Sequence, residues 1–330
     1  MNQLQMDLQD SMTDCIAMHS QRKAGSAALD AWLDKWIMPL AGATMDSAGN
    51  VWIKVGKDST TIFSCHTDTI CLAKQGELEL LLSGDGYLLA NDAQGKATNL
   101  GADDTAGCYI MRQMVLAGVP GLYIFHDGEE IGCIGSKWIV KHHNLSDYRR
   151  IVAFDIDGTS NIVTHQMSMR CCSEEFAEAL ARALGQYNLD YKAFPYGSYT
   201  DSYHYVDMVA ECTNISVGYA GEHTAKECVD LAHVRALTEA CIGLDWEALP
   251  TKRNPGENEW GEDGWDETAW EIDRWGDDFV HQIEQCDSFL EVERLVERDT
   301  TGAAAALVTY LGLKFKPQNH PNYIPALDDD

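Results

Sequence analysis

Five short segments, scattered between Ser64 and Thr224 yet chemically of one kind, restrict what this chain can fold into more than any other feature. They are Ser64-Cys65-His66-Thr67-Asp68, Gly101-Ala102-Asp103-Asp104, Gly128-Glu129-Glu130, Phe154-Asp155-Ile156-Asp157 and Glu222-His223-Thr224. One carboxylate or imidazole alone would mean little, because acidic side chains are common here and ordinarily form a solvated surface. In chain order they read imidazole, carboxylates, imidazole, which is the donor set a pair of zinc ions needs. The set works only if distant loops converge, and it suggests a metallohydrolase.

Apolar periodicity supplies a fold of that kind. Between Ser26 and Leu40 the residues Ala28, Trp32, Trp36 and Leu40 recur every fourth position, which predicts a core-facing helix that Pro39 ends. Residues 51–55 and 61–65 read as strands with Gly and Asp punctuation between them, leaving His66 at a strand end. Helices over 104–116, 134–142 and 175–185 then alternate with strands over 121–125, 151–154 and 210–217. Such alternation gives a sheet covered on both faces, with ligands gathered where loops leave the strand ends. All five segments fall there.

Beyond residue 250 the composition changes. Residues 256–278 carry ten Asp or Glu against one Arg, and Trp260, Trp265, Trp270 and Trp275 stand five apart, a period of neither helix nor strand. We read 1–250 as a catalytic domain, 251–278 as an acidic, Trp-containing linker and 279–330 as a helical C-terminal extension.

Charge and cysteine usage narrow the partners. With 52 Asp and Glu against 24 Lys and Arg, the formal charge of -28 speaks against nucleic acid and against anionic membrane surfaces, both of which need clustered cations. No apolar stretch approaches the roughly 20 residues that span a bilayer, and Met1-Asn2-Gln3-Leu4-Gln5 lacks a basic start followed by an apolar run. The eleven cysteines include no C-x-x-C pair and sit mostly in apolar runs, so they read as reduced thiols of a cytoplasmic protein.

Each segment has its own chemistry. His66 can ligate through one ring nitrogen while Asp68 takes the proton of the other. After Gly101, Asp103 can bridge two cations, and Asp104 suits the start of the helix that follows. Adjacent Glu129 and Glu130 cannot point the same way, which divides the labour: Glu130 as ligand, Glu129 as general base facing the substrate water. Asp155 and Asp157 lie on one side of an extended segment, and spacing does not choose between them. His223 closes the set.

On these residues, with Ile131-Gly132 and Gly135-Ser136, the chain resembles over roughly residues 20–235 the co-catalytic di-zinc aminopeptidases, metallopeptidase family twenty-eight, in its bacterial and phage-like members. The resemblance implies a three-layer α/β/α sandwich with a mixed, mostly parallel central sheet, the zinc-dependent exopeptidase fold. It implies two Zn2+ per chain, with Co2+ or Mn2+ also compatible with the donors. One zinc would be held by His66, Asp103 and Asp155, the other by Asp103, Glu130 and His223, with Asp103 as the bridge. Glu129 would be the base and Asp68 the partner of His66, and the Asp103-Asp104 peptide bond would be cis. The substrate would be a peptide, opened at its N-terminus. Asp157 departs from the family's often basic residue. The stretch from Asp155 to His223 is too short for the dimerisation or lid domain that sibling families insert there. Tyr199-Thr200-Asp201 and Glu211-Cys212-Thr213 also look like family segments, with Asp201 as a candidate for shaping the substrate pocket. Two other readings remain beside a peptidase: an amidohydrolase acting on N-acyl amino acids, and a non-catalytic binding protein on the same fold.

Overall fold

Every position of the strands Thr61–His66, Gly121–His126 and Glu211–Ser216 is buried, so both faces of each are covered and all three lie inside a sheet. The computed structural model describes residues 12–73, 78–167 and 169–255, all within one compact unit, Met1–Gly261. From residue 256 on, the rest of the expected acidic linker (251–278) and the expected helical extension (279–330) lie outside the described residues.

The central sheet has eight strands, in the order Thr44–Met45, Val51–Val55, Gly121–His126, Thr61–His66, Arg150–Ile156, Glu211–Ser216, Asn161–Val163 and Lys192–Phe194. The four in the middle run parallel, with antiparallel pairing at Val51–Val55 on one side and at Asn161–Val163 on the other. Strand alternation builds the layers. Phe63, Tyr123, Phe125, Val152, Phe154 and Ile215 pack with the helices Ala27–Trp36, Ala102–Leu116, Glu174–Gly185 and Leu231–Gly243. Ile62, Leu122, Ile124, Ile151 and Cys212 pack with Ile139 of the helix Ile134–His142 and with Tyr205 of a short 3-10 turn. The result is the expected three-layer α/β/α arrangement.

Two features depart from the sequence reading. The first helix is Ala27–Trp36, capped by Ser26, and it buries Leu29 and Leu33 beside Trp32 and Trp36, whereas Ala28 faces solvent. Its seam follows the 3.6-residue turn and not a strict interval of four. The second is a small antiparallel sheet built from Glu79–Leu82, Tyr87–Asn91, Ala97–Thr98, Tyr219–Ala220 and Cys228–Asp230. Apart from Tyr87–Asn91 its strands have four residues or fewer, and its hairpin from Tyr219 to Asp230 carries His223 at the tip, in a left-handed conformation at φ 58°.

Candidate metal centre

The parallel strands bring the first two donors together. His66 ends its strand beside His126 of the neighbouring one, and Asp155 lies at the end of the strand on the other side. Asp103 enters from the start of the helix Ala102–Leu116. There the backbone is not yet helical at Asp103 (φ -81°, ψ 104°) or Asp104 (φ -118°, ψ 50°), and the bond between them is cis, as expected. Helical turns begin after Asp104, whose carboxylate accepts the Gly107 N–H at 2.9 Å, the capping role read from the sequence. Gly107 permits this because a Cβ there would meet the Phe154 carbonyl at 2.1 Å.

Two trios result, and Asp103 belongs to both. His66 Nε2 lies 2.9 Å from Asp103 Oδ1 and 3.4 Å from Asp155 Oδ1. His223 Nε2 lies 3.1 Å from Asp103 Oδ2 and 2.9 Å from Glu130 Oε2. Within each trio the donor atoms fall within 4.8 Å of one another. Ligands on a tetrahedral zinc with bonds of about 2.0–2.1 Å stand about 3.3 Å apart, so these separations match such a shell. His66 is buried and the ring of His223 half exposed, so the second trio is the one that opens to solvent.

The protonation pattern points the same way. His66 Nδ1 sits 2.9 Å from the Asp68 carbonyl, an acceptor only, so Nδ1 carries a hydrogen. In the neutral ring Nε2 would then present a lone pair to two carboxylates, an arrangement relieved by a proton on Nε2 or by a cation between the groups. Burial alone would lower the His66 pKa, but Asp155, Asp103 and Asp68 raise it well above the ordinary value. His223 is pushed up to about 11 by its hydrogen bonds with Asp103 and Glu130. Asp103 moves the opposite way: burial favours its neutral form, yet the two imidazoles hold it below the usual carboxylate range. Two imidazoles and three carboxylates that share one bridging group and demand positive charge fit a pair of divalent cations.

Glu129 stands outside both trios, and burial first, then Asp155, Asp201 and Glu130, push its carboxyl well above the ordinary range. The Cys133 thiol reaches its Oε1 at 3.6 Å. Asp68 differs from expectation. Its carboxylate lies 3.6 Å from His66 Nδ1 and instead accepts the N–H groups of Gly128, Glu129 and Glu130 at 3.0–3.2 Å. The loop bearing both glutamates, left without helical or sheet partners, takes those acceptors, while the backbone carbonyl of Asp68 orients the imidazole.

Asp155, and not Asp157, joins the donors. Asp155 accepts from Thr200 Oγ1 at 2.5 Å and from the Tyr219 hydroxyl at 3.3 Å. Asp157 lies past the end of its strand and is exposed. Asp201 is buried and accepts from Ser136 Oγ at 2.5 Å; burial pushes its carboxyl up to about 7. Glu211 heads its strand at the opposite end of the sheet, away from the donors. Thr200 belongs to a segment that the sequence points to, whereas Tyr219, Arg22 and Glu227 carry no signal there. Arg22 is buried and ties the Thr67 carbonyl (2.6 Å) to the Thr105 hydroxyl (2.9 Å), joining the loop after His66 to the helix start.

No protein-family profile and no curated protein matches the sequence. The fold, in contrast, is shared with solved peptidase structures. An aminopeptidase PepT from Bacillus cereus aligns over 71% of this chain and 96% of its own, at 15% identity and a TM-score of 0.55. A tripeptidase from Staphylococcus aureus gives 71%, 96%, 14% and 0.55. The TET1 peptidase of Pyrococcus horikoshii, which assembles into a tetrahedron or an octahedral shell, aligns over 71% and 98% at 14% identity and a TM-score of 0.52. The likeness is one of fold, and it agrees with the architecture expected from the sequence.

Proposed function

We propose that this protein is a two-metal aminopeptidase of the co-catalytic zinc type, with its motif order supporting a place in family twenty-eight. The observation that carries the reading is the division of the Asp103 carboxylate, one oxygen toward His66 and the other toward His223, with Glu129 held outside both trios. His66, Asp103 and Asp155 would hold one cation, and Asp103, Glu130 and His223 the other. Such a pair supplies Lewis acidity to a scissile carbonyl and to an attacking water. Glu129, with its raised proton affinity, accepts the proton of that water and returns it to the leaving amine. Asp68 fixes the loop of Glu129 through three N–H groups, keeping the base in place as the charge moves. The solvent-facing His223 trio marks the side from which a peptide would arrive.

The test pairs elemental analysis with a substrate panel. The expected result is about two divalent cations, zinc or a substitute such as cobalt or manganese, per folded chain, with hydrolysis of substrates bearing a free α-amine. Cleavage of N-acylated substrates alone would make the protein a deacylase. Failure to bind cations would leave a binding protein on the same fold.

A further inference from the structure

Glu227 makes the most concentrated set of backbone contacts among the described residues near the donors. One carboxylate oxygen accepts the N–H groups of Leu100 (2.5 Å) and Gly101 (2.7 Å), and the other those of Ala102 (2.9 Å) and Asp103 (3.0 Å). A carboxylate offers about four lone-pair sites, so this one is saturated. The four donors are consecutive and run from before the left-handed Gly101 into the helix start, where Asp103 is still non-helical and N–H groups have no partner within the helix. Gly101 there adopts φ 71°, and a Cβ on it would meet the Ser20 carbonyl at 2.4 Å, so the segment packs closely against the chain at Ser20.

The placement of Glu227 matters more than the count of its bonds. It lies four residues after His223 on the same hairpin tip, which is tied across by Glu227 N–H to the Thr224 carbonyl at 3.2 Å and by the Thr224 hydroxyl to the Gly221 carbonyl at 2.6 Å. One short tip therefore grips Asp103 twice: at its backbone through Glu227, and at its carboxylate through His223 at 3.1 Å. We propose that Glu227 is a positioning residue, which sets the separation of Asp103 from His223 and with it the affinity of the solvent-facing trio for its cation. The inference rests on the two-metal reading above.

The test uses the full chain, stripped of metal, as wild type, E227Q and E227D. In E227Q the amide offers one oxygen and turns an NH2 toward two N–H donors, whereas E227D keeps the charge one methylene short. Affinity for the second equivalent of Zn2+ is measured by competition with a chromogenic chelator, and the same equivalent is followed by the visible spectrum of Co2+. Melting of the metal-free proteins is measured alongside. Displaced ligand partners of this kind weaken binding by roughly 10- to 100-fold. That loss is expected for E227Q in the second equivalent, with a changed Co2+ spectrum and a smaller loss in E227D. Wild-type affinity and spectrum in folded E227D or E227Q, with only a lower melting temperature, would overturn the inference and leave Glu227 a structural cap. If wild type binds two cations yet cleaves no peptide, the aminopeptidase reading fails while these affinities still decide the role of Glu227. If wild type binds none, both fall.

Discussion

The two ends of the central sheet put carboxylates to opposite uses. At the amino ends of the parallel strands, Thr61, Arg150 and Glu211 stand in register side by side. Glu211 accepts from Ser173 N–H (2.7 Å) and hydroxyl (2.9 Å) and from the N–H groups of Lys252 (2.7 Å) and Arg253 (3.2 Å). Glu247 accepts from the hydroxyls of Ser59, Thr60 and Thr61 and faces Arg150 at 3.2 Å. Burial works against it, but those hydroxyls and the guanidinium hold its carboxyl down at about 2. At the carboxyl ends, Glu129, Glu130 and Asp155 are instead pushed up, by burial first and also by neighbouring carboxylates, against the opposing pull of His66 and His223. A carboxylate whose acceptor sites are filled by fixed donors is structural. One left facing other carboxylates is available for a cation or a proton.

The sharpest way to break that contrast is Glu129→Gln. Removing a positioned proton carrier should lower kcat by about 10²- to 10⁴-fold, while the cation content of the folded protein stays at the wild-type level. Near-normal turnover in that variant would show that Glu129 belongs with the structural group. Glu211→Ala tests the other end. It leaves several buried donors without an acceptor, which should cost roughly 3–5 kcal/mol of unfolding free energy, with kcat of the folded protein unchanged. A fall in kcat without a fall in denaturant midpoint would mean the two ends are not separate in function.

The smallest effect concerns acid. Because the folded protein holds Glu247 at about 2 against an ordinary 4.5, its stabilisation is complete above about 4.5 and fades as the pH falls through that window toward 2. Glu247→Gln should therefore flatten part of the acid limb of a plot of melting temperature against pH, and leave the neutral range nearly parallel to wild type. Its side chain is 40% exposed, so solvent screens the pairing and the change is modest.

Much of this architecture is legible in the amino-acid sequence itself. The central strands and the helices between them announced themselves through apolar periodicity, because a side chain's face in a strand or helix depends only on neighbours a few residues away. The donors were legible for a related reason: imidazoles and carboxylates beside small residues at strand ends keep their chemistry whatever the partner. Short strands such as Tyr219–Ala220 and Cys228–Asp230 carry too few residues to repeat anything, so the hairpin of His223 left no trace.

What needed the folded molecule was every choice between equivalent groups. Asp155 and Asp157 have the same spacing relation to their neighbours, and it is the pairing of that strand with Glu211–Ser216, with its register shift between Asn214 and Ser216, together with Thr200 and Tyr219, that turns one inward and leaves the other in water. Chain proximity pairs Asp68 with the His66 imidazole, yet its carboxylate goes to a loop some sixty residues on, at Gly128. Glu227 has no local signature at all, since its four donors lie at Leu100 to Asp103. The chain specifies which chemical groups exist and which way each segment turns. Which distant N–H or oxygen each group meets depends on sheet register and loop closure, and those are properties of the whole packed unit.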